Sequence, residues 1–233
     1  MIIIHKNLLK ALTSILVLNY LFFVSDIAWA NLIGNFKVSK KATKVSQRRT
    51  IGTGSRSKCI PSITSANGIE LLVPNFSVAH QTISENPSLY LYFRANESVS
   101  VAFTLIDPTT PQPLVEKRIK IEKPGIKKIS LPLDIKLKSN NVYLWYIAIP
   151  CKNTPQYYQT VLNAGIERVN IAPNIATKLS NSTSNLEKIE IYNANSLWYE
   201  TIDLAIQDLS EQEVNTFLDR NIFSRHSKIE KDI

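Results

Sequence analysis

Most protein active sites are built from histidines, cysteines and paired carboxylates, and this chain offers few arrangements of them. Its histidines are His5, His80 and His226, scattered in unlike contexts. A centre of nitrogen and sulfur donors needs its ligands drawn close together. A general base needs a positioned nucleophile and an orienting partner. Neither is supplied by the spacing here, so no catalytic residue, metal ligand or cofactor is assigned. No phosphate-cradling glycine loop, dinucleotide fingerprint or nucleophile elbow occurs. A pair of acids could hydrolyse a glycosidic bond, but folding, not sequence spacing, creates such a pair. Glu167 with Arg168 reads equally well as a cross-strand ion pair.

Two other groups of side chains could make contacts instead of reactions. Tyr90, Tyr92, Tyr157 and Tyr158 carry flat faces able to stack on sugar rings, although β-propensity alone also explains them. Tyr157 and Tyr158 are the pair singled out as an aromatic binding surface. The second group is cationic. Residues 31–58 hold Lys37, Lys40, Lys41, Lys44, Arg48, Arg49, Arg56 and Lys58 with no acid, whereas the chain from Cys59 onward is nearly neutral. The sequence pI near 9.4 therefore belongs to one segment. That segment is rich in Ser, Thr and Gly and poor in large apolar residues, so it is expected to be a flexible linker. Its cations, Lys40, Lys41, Lys44, Arg48 and Arg49 above all, would tether the protein to an anionic surface in a salt-dependent way; a plain solvated spacer is the alternative.

The start of the chain gives an address. Lys6 and Lys10 precede an apolar run from Ala11 to Val24, and Ala28-Trp29-Ala30 supplies a small-x-small cleavage site. This is the pattern of a cleavable signal peptide over residues 1–30, too short and too interrupted for a bilayer span. The expected destination is the periplasm or the extracellular space. No later segment is apolar enough to cross a membrane, and export argues against nucleic acid as partner. In an oxidising compartment the only two cysteines, Cys59 and Cys151, read as a disulfide. Closing a loop of about 90 residues contributes about 4–5 kcal/mol in the chain-entropy picture.

The elements that must position these groups are mostly strands. Seven period-two runs, separated by turn residues, are expected at 68–73, 88–95, 98–106, 114–121, 126–131, 142–151 and 160–171. The clearest places Val99, Val101, Phe103 and Leu105 on one face. Lys123-Pro124-Gly125 is expected to fold the fourth and fifth runs into a hairpin, and Gly165 to mark a bulge in the last. The class is mainly β: an immunoglobulin-like antiparallel β-sandwich over 59–172, followed by a short C-terminal α-helical segment over 173–233. In that segment Ser184 with Glu187, and Ser210 with Glu213, have capping-box spacing. Asn195-Ser196 is expected to separate two helices, and Trp198, Ile202, Ala205, Ile206 and Leu209 share one helical face.

Taken in order, ENPSLYLYF from Glu85, GIKKISLP from Gly125, YLWYIAIPC from Tyr143, AGIERV from Ala164 and LWYETI from Leu197 resemble domain of unknown function 928, an exported cyanobacterial family. No single motif is specific; their order is. Where the family often carries a glycine before Trp-Tyr, this chain has Leu197. The resemblance implies fold, compartment and lineage, and no activity. The function expected is accordingly a non-enzymatic interaction or adaptor module of the cell envelope, its partner an envelope protein or anionic polymer. A carbohydrate-binding module and a hydrolase using scattered carboxylates are the alternatives. Oligomeric state is not legible.

Overall fold

The computed structural model describes residues 34–45, 68–151 and 158–224. Eight strands come first: β1 (Ile69–Leu71), β2 (Ala79–Thr82), β3 (Leu89–Phe93), β4 (Val99–Ile106), β5 (Pro113–Ile121), β6 (Gly125–Ile129), β7 (Asn141–Pro150) and β8 (Tyr158–Arg168). Four helices follow, α1 (Pro173–Asn181), α2 (Asn185–Ala194), α3 (Trp198–Asp208) and α4 (Glu211–Leu218), with a π-helical turn over Asp219–Phe223. The chain is mainly β, with its helices at the C-terminal end, as the hydrophobic periods indicate.

The strands form two sheets, a three-stranded one ordered β1-β3-β6 and a five-stranded one ordered β2-β8-β7-β4-β5. Alternation explains how they pack. Leu89, Leu91 and Phe93 of β3, Val101, Phe103 and Leu105 of β4, and Tyr143, Trp145, Ile147 and Ile149 of β7 are all buried in one core shared by both sheets. Burial of such side chains is the main driving force of the fold.

The sheets depart from the sequence expectation in three places. β2 runs parallel to β8, with Ala79 opposite Gly165 and Thr82 opposite Arg168, so the arrangement is not wholly antiparallel. β5 and β6 do not form a hairpin: β5 pairs with β4 in the larger sheet and β6 with β3 in the smaller. The Lys123-Pro124-Gly125 turn, with Gly125 at φ 104°, carries the chain from one sheet to the other. Gly165 is not bulged either, since β7 and β8 stay in register across it. It is there for room: a Cβ at this position would lie 2.8 Å from Ala79 Cα, so a side chain would force the parallel strand away.

Local chemistry sets the helix boundaries. Ser210 and Glu213 complete a reciprocal capping box at the start of α4. At α2 the Ser184 hydroxyl accepts from Glu187 N, but the Glu187 carboxylate accepts from Thr183 N at 2.9 Å instead of Ser184 N. Ser196 sits in the left-handed region at φ 62° and breaks the chain between α2 and α3. α1, which opens on Pro173, was not anticipated; it buries no residue and so leaves no apolar stripe to read.

α3 bridges the two sheets. Near its start Tyr199 Oη donates to Gly165 O of β8 at 3.0 Å and accepts from Trp145 Nε1 of β7 at 3.2 Å. One turn later Asp203 reaches β3 and β6 through Tyr90 and Lys128. Trp198, Ile202 and Ala205 are buried on the face the 3.6-residue period marks.

Candidate functional site

Residues 34–45, expected as part of a flexible linker, are held against the body from two sides. Phe36 is 1% exposed and meets Trp198 edge to face at 4.8 Å between ring centroids. Its backbone N–H donates to Asn221 Oδ1 at 2.7 Å. The helices add Asn193 Nδ2 to Gly34 O at 3.0 Å and Ser196 Oγ to Lys37 O at 2.8 Å. Further on, Val45 N donates to Ser77 O at 2.9 Å, and Ala79 N donates to Thr43 O at 2.8 Å. The arm thus makes one antiparallel bridge, Lys44 opposite Val78, just before β2. One large aromatic with a buried pocket outweighs the entropy that composition alone assigns to the segment.

Held this way, the arm turns its cations outward. Lys37, Lys40, Lys41 and Lys44 are all exposed. Arg48 and Arg49, the other two members of the expected tether, lie outside the described residues. The aromatic surface is less favourable. Tyr158 is 38% exposed, whereas Tyr157 lies outside the described residues. Tyr90 is buried and Tyr92 packs on Phe223 at 5.7 Å, so neither is a free platform for a sugar. The helical layer covers the sheet face that alternation assigns to solvent. Cys151 is buried at the end of β7; Cys59 lies outside the described residues, as does His226.

The polar groups under the helices are engaged with one another. His80, itself buried, makes a 2.8 Å hydrogen bond between Nε2 and Asn75 O, and its ring lies near those of Phe36 and Trp198. Glu167 and Arg168 do not pair. Adjacent residues of a strand point to opposite faces, so Glu167 accepts from Gln81 Nε2 at 3.3 Å while Arg168 donates to Leu137 O at 2.6 Å and to Glu85 at 3.2 Å.

The most concentrated polar site is Glu200 on α3, which sequence reading did not single out. Its Oε1 accepts from Thr82 Oγ1 at 2.6 Å, Ile83 N at 2.9 Å and Ser84 N at 3.1 Å, closing the end of β2 onto the helix. Oε2 is buried with no hydrogen-bond partner among the described residues. Burial pushes the carboxyl above its ordinary range, although the three donors pull the other way. The Leu-Trp-Tyr-Glu order was the available signal, but nothing in it says which strand the carboxylate meets.

A second cluster joins Asp203 to Tyr90, whose hydroxyl donates to it, and to Lys128 Nζ at 3.0 Å. Beside it Arg94 lies over the rings of Tyr92 at 4.9 Å and Phe223 at 4.8 Å, a cation–π arrangement. Burial tends to raise the Asp203 carboxyl, but hydrogen bonds from Tyr90, Lys128 and Ser88 hold it below its ordinary range. Its contribution to stability is therefore present above the ordinary value of 3.8 and lost as pH falls through the lowered folded value. Asp203→Asn is expected to flatten this part of the acid limb, as followed by urea unfolding at stepped pH.

Among the described residues no group of three or more histidines, cysteines and acids is placed to hold a metal ion, and no helix is long and apolar enough to cross a membrane. The family of the chain is decided by a match to domain of unknown function 928 over residues 51–223. The chain belongs to that family. The matched span contains every strand and helix of the body and ends with the π-helical turn. It begins after the lysines of the arm, so the match does not cover Lys37 to Lys44. No curated protein matches the chain.

Proposed function

We propose that this member of the family is a non-enzymatic interaction module of the cell envelope, exported by its first 30 residues, whose folded body docks an envelope protein while its basic arm engages an anionic polymer. The observation that carries the reading is the arm: an aromatic anchor and backbone bonds fix it to the body, and four lysines face solvent. A fixed row of cations loses less freedom on meeting a polyanion than a loose one does. An immunoglobulin-like arrangement of the two sheets suits such a scaffold, and a Cys59–Cys151 disulfide would brace it. The buried end of β7 supports Cys151 as a bracing point.

In-cell crosslinking followed by mass spectrometry tests this. The tagged protein is expected to recover one recurrent envelope protein, and to enter with its amino terminus at Asn31. A variant with Lys37, Lys40, Lys41 and Lys44 changed to Glu should keep that protein but lose anionic polymer, as should the natural chain in raised salt. Recovery of no recurrent protein, or turnover of envelope glycans by the purified protein, would end the interaction-module reading.

A further inference from the structure

We propose that the pocket that takes Phe36 is a peptide-recognition site: the arm is its built-in occupant, and the ligand that replaces it is an extended segment of the partner carrying one aromatic side chain. This rests on the interaction-module reading and says which part of the envelope protein is read. The assignment follows from contacts that address main chain. Asn193 Nδ2 donates to Gly34 O, Asn221 Oδ1 accepts from Phe36 N and Ser196 Oγ donates to Lys37 O, groups that an extended segment of almost any sequence carries. Of residues 34–45 only Phe36 is buried, so a single side chain is selected. Main-chain bonds for affinity and a side-chain pocket for choice are how extended peptides are recognised.

The pocket keeps its shape by bonds in which the arm has no part. Trp198 stacks on Phe217 at 5.7 Å and donates to Leu72 O at 2.9 Å, while His80 is tied to Asn75 O. Asn221 Nδ2 donates to Phe217 O at 3.0 Å, which turns Oδ1 toward the arm. A preformed site loses little freedom when a ligand enters. One acceptor is also spare. Asn193 is 8% exposed, and its Oδ1 is buried with no hydrogen-bond partner among the described residues, so a further main-chain N–H there would remove the cost of an unpaired group. His80, Asn193, Ser196, Trp198 and Asn221 all lie within the span matched to the family, and residues 34–45 do not; the body supplies the site. A segment that enters here frees the lysines from their fixed row, so ligand and polymer oppose each other across the pocket.

The test uses the purified protein carrying Phe36→Ala, which vacates the pocket, and fluorescence anisotropy of a fluorescein-labelled peptide. The peptide has the sequence of residues 34–45 with its four lysines replaced by glutamine, which leaves main chain and phenylalanine as the features to be recognised. Binding is expected, and it should weaken by about tenfold or more when the peptide's phenylalanine is replaced by alanine. The natural chain, whose own arm competes, should bind the peptide more weakly by a similar factor. Should Phe36→Ala lose the natural circular-dichroism spectrum, Phe36→Leu takes its place with the same order of affinities expected. No binding, equal binding of the two peptides, or equal binding by the natural chain would overturn the proposal. In envelope extract an excess of the glutamine peptide should also abolish crosslinking of the recurrent envelope protein to the variant. A crosslink that persists puts the partner elsewhere on the body, so the pocket assignment fails while the interaction-module reading stands; absence of that protein with and without peptide ends both.

Discussion

Replacing Trp198 with alanine is expected to lower the unfolding free energy by about 3–5 kcal/mol, measured by urea titration of the purified protein. The side chain is fully buried. It stacks on Phe217 at 5.7 Å and 11°, meets Phe36 edge to face, and donates from Nε1 to Leu72 O at 2.9 Å. Truncation opens a cavity and also strands a buried carbonyl. Because Phe36 loses the ring against which it rests, the arm is expected to loosen together with the helices. Proteolysis near residues 37–44 should accelerate in the variant; an arm as resistant as in the natural chain would show that its backbone bonds alone hold it.

Glu200→Leu is expected to cost about 3 kcal/mol, since it leaves the N–H groups of Ile83 and Ser84 and the Thr82 hydroxyl without their acceptor. Glu200→Gln keeps an acceptor oxygen and separates charge from hydrogen bonding. A carboxyl whose folded value is raised contributes stability that is fully present below its ordinary value of 4.5 and lost as pH rises through the folded value. The natural protein should therefore lose stability relative to the glutamine variant across that interval, the opposite direction to the acid-limb effect of Asp203. Parallel curves for the two proteins would mean that the carboxyl titrates alike folded and unfolded.

Much of this architecture is legible in local sequence because strand alternation and helix capping are local phenomena. β4 shows its apolar face residue by residue, and Ser210 with Glu213 marks the start of α4. What escapes is pairing. Ala79–Thr82 is a four-residue strand, too short for an alternating run although Pro74-Asn75 and Asn86-Pro87 flank it, and its parallel partner lies far along the chain. Lys123-Pro124-Gly125 identifies a turn without saying that its two arms enter different sheets. Gly165 signals that a side chain is unwelcome, and only the position of Ala79 says why. At the site, the exposed lysines follow from composition, but the fixing of their backbone depends on one phenylalanine finding a pocket formed by the last helices.

That pocket has a consequence for how the protein comes into being. Phe36 is hydrogen-bonded to a residue 185 positions away, and the β2–β8 pair joins Ala79 to Gly165. Contacts this distant in sequence demand costly loop closures before they return any stabilisation, and they slow folding. The arm and β2 cannot take their final places while the C-terminal helices are still being synthesised. Completion is consequently a late, whole-chain event, and until then the backbone that carries the arm's lysines is not yet fixed in place.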